Sequence, residues 1–210
     1  GILLGAYGLA ENCSVLGPVG GGLAEGFEAG DFARVNRSTA QHCVYGFFLG
    51  ERASATDCGA SACSDTGFYV YEGGTMIERC TAQDNTNGFS VAHNSVVRDC
   101  IAMDNLIQGI DVRDADNVIV GNACNNNGSS GIFVGGNENR IEGNHANRNE
   151  YGIYFRYWSP ESHAQRNWVA KNTAGDNRTQ NYFVGADNAI APIEPSGAAA
   201  FTNAWSNFEL

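Results

Sequence analysis

An acidic and a basic side chain alternate in one short apolar segment, where Asp111 and Arg113 are separated by a single valine. Residues two apart lie on the same face of a β-strand, so this spacing would present a carboxylate and a guanidinium side by side. His93 precedes the pair and Arg156 follows it. An imidazole base beside cationic groups is the set that a β-elimination reaction needs. These four residues are therefore the candidate catalytic residues.

The roles follow from the charges. Arg113 or Arg156 would neutralise the carboxylate of a uronate, and His93 would remove the proton from its C5 atom. A hydrolase would need two carboxylates about 5–9.5 Å apart, but the acidic residues nearest Asp111 lie in the turn-like segment 114–117. A solvated surface ion pair is the alternative for Asp111 and Arg113. Ca²⁺ is a candidate for neutralising charge, but no metal-ligand motif or other cofactor is indicated.

These residues belong to a repeat that organises most of the chain. A glycine, a large apolar residue, a variable residue and another apolar residue recur at intervals of 20, 21, 21, 21, 22 and 21 residues. The seven copies begin at Gly26, Gly46, Gly67, Gly88, Gly109, Gly131 and Gly152. A weaker first copy is expected at Gly5 and a degenerate last copy at Asn181. The unit is too short for a helix pair, and its alternation predicts short strands that stack on their own copies.

Small and amide side chains form two further columns in the repeat. The first contains Asn36, Cys58, Cys80, Cys100, Asn122, Asn144 and Asn172. The second contains Cys43, Cys63, Asn85, Asn105, Asn127, Asn149 and Asn177. Inside a stack of coils, each amide would bond to the next coil where the strands bend. The cysteines would act as small buried apolar groups, with free thiols favoured over a vertical disulfide.

The segments 117–134 and 139–155 resemble the parallel β-helix repeats of pectate-lyase-like proteins, and the likeness extends over about residues 5–184. The resemblance implies a right-handed, single-stranded parallel β-helix. That fold is shared by polysaccharide lyases, polygalacturonases, alginate epimerases, tailspike depolymerases and proteins without known activity. The DPHD-type motif of the epimerases, the paired aspartates of the polygalacturonases and the calcium-binding nonapeptide are absent. We therefore predict an all-β solenoid of seven to eight coils over residues 1–184, capped by a non-repetitive tail over 185–210.

The outward positions of the glycine-started strands are rich in aromatic residues. In each strand, the first and third residues after the glycine should point inward, and the second and fourth outward. The candidate substrate-binding residues are Phe48, Tyr69, Tyr71, Phe133, Tyr154 and, in the longer seam between coils, Trp158. Such rings suit stacking against the apolar faces of sugars. They equally suit a protein interface, in which aromatic residues are enriched.

The charge and hydropathy of the chain limit the classes of molecule that it can be expected to bind. The chain has 12 Lys and Arg against 23 Asp and Glu, for a net charge of −11, which argues against nucleic acid and anionic membranes. No segment approaches the roughly 18 apolar residues of a membrane span. We predict a secreted polysaccharide-binding protein that is extracellular or at the cell surface. A further expectation is that it acts on the bound polysaccharide as a lyase-like or epimerase-like enzyme. The alternative is a non-catalytic structural module that forms a homo-oligomer.

Overall fold

The chain winds through three parallel β-sheets, and each coil contributes one strand to each sheet. The computed structural model describes residues 1–18, 24–159, 162–185, 187–195 and 205–209, with the backbone alone for 157–159 and 162–163. The predicted all-β parallel solenoid with coils of about 21 residues is confirmed. Among the described residues, no helix has the length and apolar character needed to cross a bilayer.

We number the sheets in the order in which a coil passes through them. Sheet 1 consists of the strands Ile2–Leu4, Glu25–Ala29, Tyr45–Leu49, Thr66–Val70, Asn87–Val91, Gln108–Val112, Ser130–Val134, Tyr151–Phe155 and Gln180–Phe183. Sheet 2 consists of Leu9–Glu11, Arg34–Asn36, Ser54–Thr56, Met76–Glu78, Val96–Arg98, Val118–Val120, Arg140–Glu142, Trp168–Ala170 and Ala189–Ile190. Sheet 3 consists of Ser14–Leu16, Thr39–Gln41, Gly59–Ser61, Thr81–Gln83, Ile101–Met103, Ala123–Asn125, His145–Asn147, Thr173–Gly175, Ile193–Glu194 and Asn207–Glu209. A separate antiparallel hairpin pairs Tyr157–Ser159 with Ser162–His163.

The repeated glycine of sheet 1 is explained by close packing against the next coil. A Cβ atom on Gly109 would lie 2.5 Å from the carbonyl oxygen of Gly131 and 2.8 Å from Nδ2 of Asn127. The first of these contacts is with backbone and cannot be relieved by a side-chain rotation. Glycine at this position therefore lets sheets 1 and 3 approach each other across the narrow interior.

Each coil bends at three corners. The residue at each corner has a left-handed backbone conformation, with a positive φ. In one coil, Asn94, Asp99 and Asp104 have φ values of 54°, 54° and 57°. Asparagine and aspartate tolerate this conformation better than most residues. The residue that follows each corner enters the interior, as Cys100 and Asn105 do. The corners therefore determine which columns point inward.

The interior of sheet 1 is a stack of like residues. The inward column after the glycine consists of Phe27, Phe47, Phe68, Phe89, Ile110, Ile132 and Ile153, all fully buried. The rings of Phe27, Phe47, Phe68 and Phe89 stack at centroid separations of 4.8, 4.5 and 5.0 Å. This agrees with the rise of about 4.8 Å between neighbouring strands.

Buried amides satisfy the backbone groups at the corners. Oδ1 of Asn105 accepts two hydrogen bonds from Asn85, one from its backbone N–H at 3.1 Å and one from the side-chain Nδ2 of Asn85 at 3.2 Å. Nδ2 of Asn105 donates to the carbonyl of Ala82 at 3.2 Å. In the other column, the backbone N–H of Cys58 donates to the sulfur of Cys80 at 3.4 Å. The seven cysteines are all free thiols.

The structure corrects two register assignments. Ile2 pairs with Phe27, so the first copy of the repeat begins at Gly1 and not at Gly5. Its coil is longer because eight residues separate Leu16 from the next sheet-1 strand at Glu25, whereas three separate Gln41 from Tyr45 in the following coil. Asn36 pairs with Thr56 inside sheet 2, and buried Ser38 takes the corner position expected for Asn36.

A third column of polar residues, all buried except the partly exposed Asn188, stands at the corner between sheets 1 and 2. It consists of Thr75, Ser95, Asn117, Asn139, Asn167 and Asn188, and each side-chain oxygen after the first accepts the backbone N–H of the preceding member. The sequence interpretation missed this column. The small residues at its N-terminal end, Ala33 and Ala53, are buried at the equivalent corners and carry no amide.

The tail adds strands to the last coils. Ala189–Ile190 pairs with sheet 2, and Asn207–Glu209 pairs with Thr173–Gly175 in sheet 3. Asn207 continues the first amide column, because its Oδ1 accepts the backbone N–H of Asn172 at 3.0 Å. Residues 186, 196–204 and 210 of the predicted capping tail lie outside the described part of the chain.

Candidate functional site

The outer face of sheet 1 carries two aromatic clusters with polar residues between them. The N-terminal aromatic cluster consists of Tyr45, Phe48, Tyr69 and Tyr71. The C-terminal aromatic cluster consists of Phe133, Tyr151, Tyr154 and Phe183. Ser90 and Asp111 occupy the two coils between them in the same outward column. The parallel register brings these residues together from coils that are distant in sequence.

The N-terminal aromatic cluster is internally stacked. The ring of Phe48 lies 5.3 Å from Tyr69 and 5.6 Å from Tyr71, and Tyr45 packs at 5.1 Å from Tyr69. Tyr69 also has the guanidinium of Arg113 over its ring at 4.6 Å. Both faces of Tyr69 are therefore occupied by protein groups. Tyr71 is 60% exposed and offers the freer surface.

The C-terminal aromatic cluster lines a shallow depression. Tyr154 stacks between Phe133 at 5.7 Å and Phe183 at 4.9 Å, while Tyr151 is tilted by 58° against Tyr154. A cavity of about 250 Å³ lies beside these rings, lined by Phe133, Tyr151, Tyr154, Gln108, Ser129 and Ser130. The tilt creates an aromatic corner with amide and hydroxyl groups along its edge. Tyr151 and Gln108 both precede their glycines. The sequence already suggests Tyr151 as an aromatic residue close to the outward columns, but it gives no reason to include Gln108 in the site.

Asp111 lies between the two aromatic clusters. Its neighbour in the next coil is Phe133, and Ser90 Oγ donates a hydrogen bond to its Oδ2 at 3.3 Å. Burial raises the pKa of Asp111 from 3.8 to about 6, although Arg113, the Ser90 hydroxyl and Arg156 act in the opposite direction. A carboxyl group with this pKa can both accept and release a proton near neutral pH.

Arg113 points away from Asp111 toward the N-terminal aromatic cluster. Its Nη1 donates to the hydroxyl of Tyr69 at 3.0 Å and its Nη2 to the carbonyl of Val70. It can extend across the neighbouring coil because that coil has Ala92 in the equivalent position. The guanidinium is therefore held in place by Tyr69 and the backbone, and its charge still lowers the pKa of Asp111.

The other candidate catalytic residues take different positions. Arg156 follows the strand two coils beyond Arg113, with Gly135 between them, and its charge lowers the pKa of Asp111. His93 lies on an exposed turn after its strand, where its imidazole packs over Gly73. The structure thus brings Arg156 and Asp111 together and places His93 at the border of the face. The side chain of Trp158 lies outside the described residues.

The donor set around Asp111 does not fit calcium. Ca²⁺ takes six to eight oxygen ligands, whereas the charged neighbours that act on Asp111 include two arginines. No group of three His, Cys, Asp or Glu side chains in the described residues is arranged to hold a metal ion. The cationic groups that act on Asp111 are the guanidinium groups of Arg113 and Arg156.

Comparison with protein families identifies the architecture. Residues 9–183 match the family model described as a right-handed β-helix region. The chain belongs to the right-handed β-helix family. The handedness implied by the resemblance to pectate-lyase-like proteins is thereby confirmed, and the sheet-1 face is a surface of a right-handed β-helix. No curated protein sequence matches the chain.

Several solved β-helix structures are similar to this one. The A-module of the mannuronan C-5 epimerase AlgE6 of Azotobacter vinelandii is 15% identical, with a TM-score of 0.58 over 87% of this chain and 61% of that one. The periplasmic alginate epimerase AlgG is 16% identical, with a TM-score of 0.56 over 72% of this chain and 39% of that one. The Dettilon tailspike protein gp208 is 14% identical, with a TM-score of 0.51 over 92% and 48%. This β-helix therefore spans between two fifths and about three fifths of the structures it resembles, and the likeness shows the fold.

Proposed function

We propose that this β-helix binds a polysaccharide along the outer face of sheet 1. The observation that carries the proposal is the aromatic corner of Tyr151 and Tyr154, with Gln108 and Ser130 at its edge and Asp111 on the same strand as Gln108. Sugars combine an apolar ring face with peripheral hydroxyls, which matches rings bordered by amide and hydroxyl groups. The similar structures include two alginate epimerases and a tailspike, which supports a polysaccharide as the ligand.

We propose an extracellular or cell-surface location on the same grounds. One similar structure is named as periplasmic and another as a tailspike protein, which supports a location outside the cytoplasm. Six of the seven thiols are buried. Because only an accessible thiolate reacts readily with oxidants, free thiols in these positions are compatible with an oxidising environment.

The residues between the clusters support proton-transfer chemistry on the bound sugar. In a β-elimination, a base takes the C5 proton, the C4–O bond breaks, and the departing oxygen carries away the electron pair and takes up a proton. Asp111, with its pKa near 6, and His93 are the two candidate bases. Arg156 and Arg113 would stabilise the negative charge that develops on the substrate carboxylate. Epimerisation uses the same proton abstraction, followed by reprotonation from the opposite face.

The test is a binding screen with alginate, polygalacturonate and neutral polysaccharides, followed by assays for unsaturated and epimerised products. Tyr151→Ala should weaken binding at least tenfold, while Ile101→Ala, an exposed apolar residue on sheet 3, should leave it unchanged. Asp111→Asn should abolish turnover if Asp111 is the base, and His93→Gln should abolish it if the imidazole is. Absence of binding to every polysaccharide would reject the proposal.

The aromatic face also supports a second candidate function, a homo-oligomer interface. Tyr71 is 60% exposed in a cluster of four aromatic rings, and such patches are enriched at interfaces. Light scattering distinguishes the two. A stable multimer that dissociates on Tyr71→Ser replacement would favour the interface, whereas a monomer that binds polysaccharide would favour the groove.

A further inference from the structure

A second pocket lies on a different side of the solenoid, at the C-terminal end of sheet 2. It has a volume of about 440 Å³ and is lined by Glu138, Asn139, Arg140, Arg166, Trp168 and Trp205. We call it the tryptophan pocket. At roughly 30 Å³ per water molecule, its volume corresponds to more than ten waters, which is enough for one or two sugar rings. Its lining residues are all different from those of the sheet-1 face.

Two distant parts of the chain build the walls of the tryptophan pocket. Trp168 is the outward first residue of its sheet-2 strand and follows Arg140 in the parallel register. Trp205 is brought in by the tail, because the backbone N–H of Lys171 donates to its carbonyl at 3.1 Å. The Lys171 ammonium lies 3.9 Å from the centroid of the Trp205 ring. The two indoles meet at 79° with centroids 6.3 Å apart, so they form perpendicular walls.

The indoles are exposed to an unusual degree for their size. Trp168 is 45% exposed and Trp205 is 48% exposed, although tryptophan is highly buried on average. Burying such rings against an apolar surface is favourable in proportion to the area removed from water. A ligand with a flat apolar face of about ring size would gain this energy without any rearrangement of the walls.

The charges around the tryptophan pocket are paired. Arg166 Nε lies 2.7 Å from Oε1 of Glu138, and Arg140 contacts Glu142. Lys171 Nζ lies 2.9 Å from the second oxygen of Glu142. Each cationic group thus already has a carboxylate partner, which weakens selection for an anion. An arginine has five N–H donors and a carboxylate has several acceptor sites, so each pair still offers donors beside acceptors.

We propose that the tryptophan pocket binds a neutral pyranose unit of an oligosaccharide. The apolar face of the sugar ring packs on the indole of Trp168, and its hydroxyls bond to the paired groups of Arg140, Arg166 and Glu138. A vicinal diol both donates and accepts, which matches a guanidinium next to a carboxylate. This site is separate from the proposed groove on sheet 1, so either can exist without the other.

The test is calorimetric titration of the whole chain with neutral hexasaccharides of glucose, mannose, galactose and xylose. At least one should bind, and Trp168→Ala should weaken that binding at least tenfold. Met76→Ala is the matched control, since Met76 is an exposed apolar residue in the same outward column of sheet 2. Its affinity should equal that of the unmodified protein.

Two further variants make the outcome decisive. Arg140→Met keeps an unbranched apolar stem and removes the guanidinium donors, so it should also weaken binding even if Trp168→Ala unfolds the last coil. Tyr151→Ala on sheet 1 should leave hexasaccharide binding unchanged. Absence of binding to all four series, or binding that survives both Trp168→Ala and Arg140→Met, overturns the proposal. Loss of binding in Tyr151→Ala alone would place the sugar on the sheet-1 face and would also overturn it.

Discussion

At the scale of single residues, the sheet-1 face combines a carboxyl group of raised pKa with two cations that cannot fully compensate its burial. Within the described part of the chain, the side chain of Asp111 accepts a hydrogen bond from the hydroxyl of Ser90. Arg113 uses its guanidinium on Tyr69 and Val70. Burial therefore keeps the pKa of Asp111 raised, although Arg113, the Ser90 hydroxyl and Arg156 all lower it. Perturbed carboxyl groups of this kind concentrate at functional sites.

This arrangement predicts a specific pH dependence of stability. Because the pKa of Asp111 is about 6 in the folded state and about 3.8 when unperturbed, the folded protein holds this proton more tightly between these values. Its ionisation should lower the free energy of unfolding as pH rises from 4 to 7, by up to about 3 kcal/mol. Asp111→Asn removes the ionisation, so the variant should be more stable than the unmodified protein at pH 7 and equal to it near pH 4.

Urea unfolding at several pH values measures this difference directly. Asp116→Asn is the control, because Asp116 is an exposed corner residue with a φ of 61° that asparagine tolerates. The difference between Asp111→Asn and the unmodified protein should grow with pH, while the control should show no such trend. A constant offset across the pH range would contradict the assigned pKa.

At the scale of the repeating elements, the glycines of sheet 1 and sheet 3 should differ sharply in their tolerance of a methyl group. Gly109→Ala would push a Cβ against the carbonyl of Gly131 at 2.5 Å, so we expect it to lower the free energy of unfolding by about 1–3 kcal/mol. Gly59→Ala meets nothing closer than Thr39 Cγ2 at 3.7 Å. It should leave stability unchanged or raise it by about 0.4–1 kcal/mol.

Chemical denaturation of the two variants checks this prediction. Both replacements add one methyl group to a β-strand, so the chain entropy of the unfolded state changes equally. The difference between them therefore reports the contact with the next coil. Equal stability of the two variants would mean that the coils are less tightly packed than the structure shows.

Most of the strands and their inward faces could be predicted from the repeat, because its glycines and alternating apolar residues fit a stack of short parallel strands. The seven glycines and the alternating apolar residues establish strand and face, as in Gly88 to Val91. The predicted register was wrong where a residue of the expected type lay close to the true corner position. Asn36 resembles a ladder asparagine, but the corner residue of its coil is Ser38.

The sites were harder to predict than the coils, since they depend on how side chains lie across the coils. The pattern placed Asp111 and Arg113 on one face, but it gave no indication that Arg113 would bond to Tyr69, two coils away. The repeat pattern could not predict the tryptophan pocket. Trp205 belongs to the tail, and its approach to Trp168 depends on the packing of a segment outside the repeat.

At the scale of the whole molecule, local stability should vary along the axis on which the coils stack. Each coil contacts its two neighbours, whereas the first coil of this chain pairs on one side only. Ile2 and Leu4 are accordingly only partly buried, while Phe68 and Phe89 in the middle are fully buried. In a linear stack of this kind, local opening should cost least at the ends and most in the central coils.

The seven thiols allow this gradient to be measured. Cys13 in the first coil is partly exposed, whereas the others are buried, from Cys43 in the second coil to Cys124 in the sixth. Burial raises the pKa of Cys63 to about 11 and also raises that of Cys124, so a thiolate forms only when the coil opens. Under native conditions, alkylation should reach Cys13 first and Cys43 next. Cys100 and Cys124 should react at least tenfold more slowly than Cys13.

Mass spectrometry of peptides from a timed reaction with iodoacetamide gives the rate at each position, and a reaction in denaturant without reductant gives the total. All seven thiols should react in denaturant, because the structure contains no disulfide among them. If two fail to react, a vertical disulfide links neighbouring coils. If all the buried thiols react at one common rate, the solenoid unfolds as a single cooperative unit. A graded order from Cys43 to Cys124 would instead show that the coils open from the end of the stack inward, which the nearest-neighbour contacts of the three sheets require.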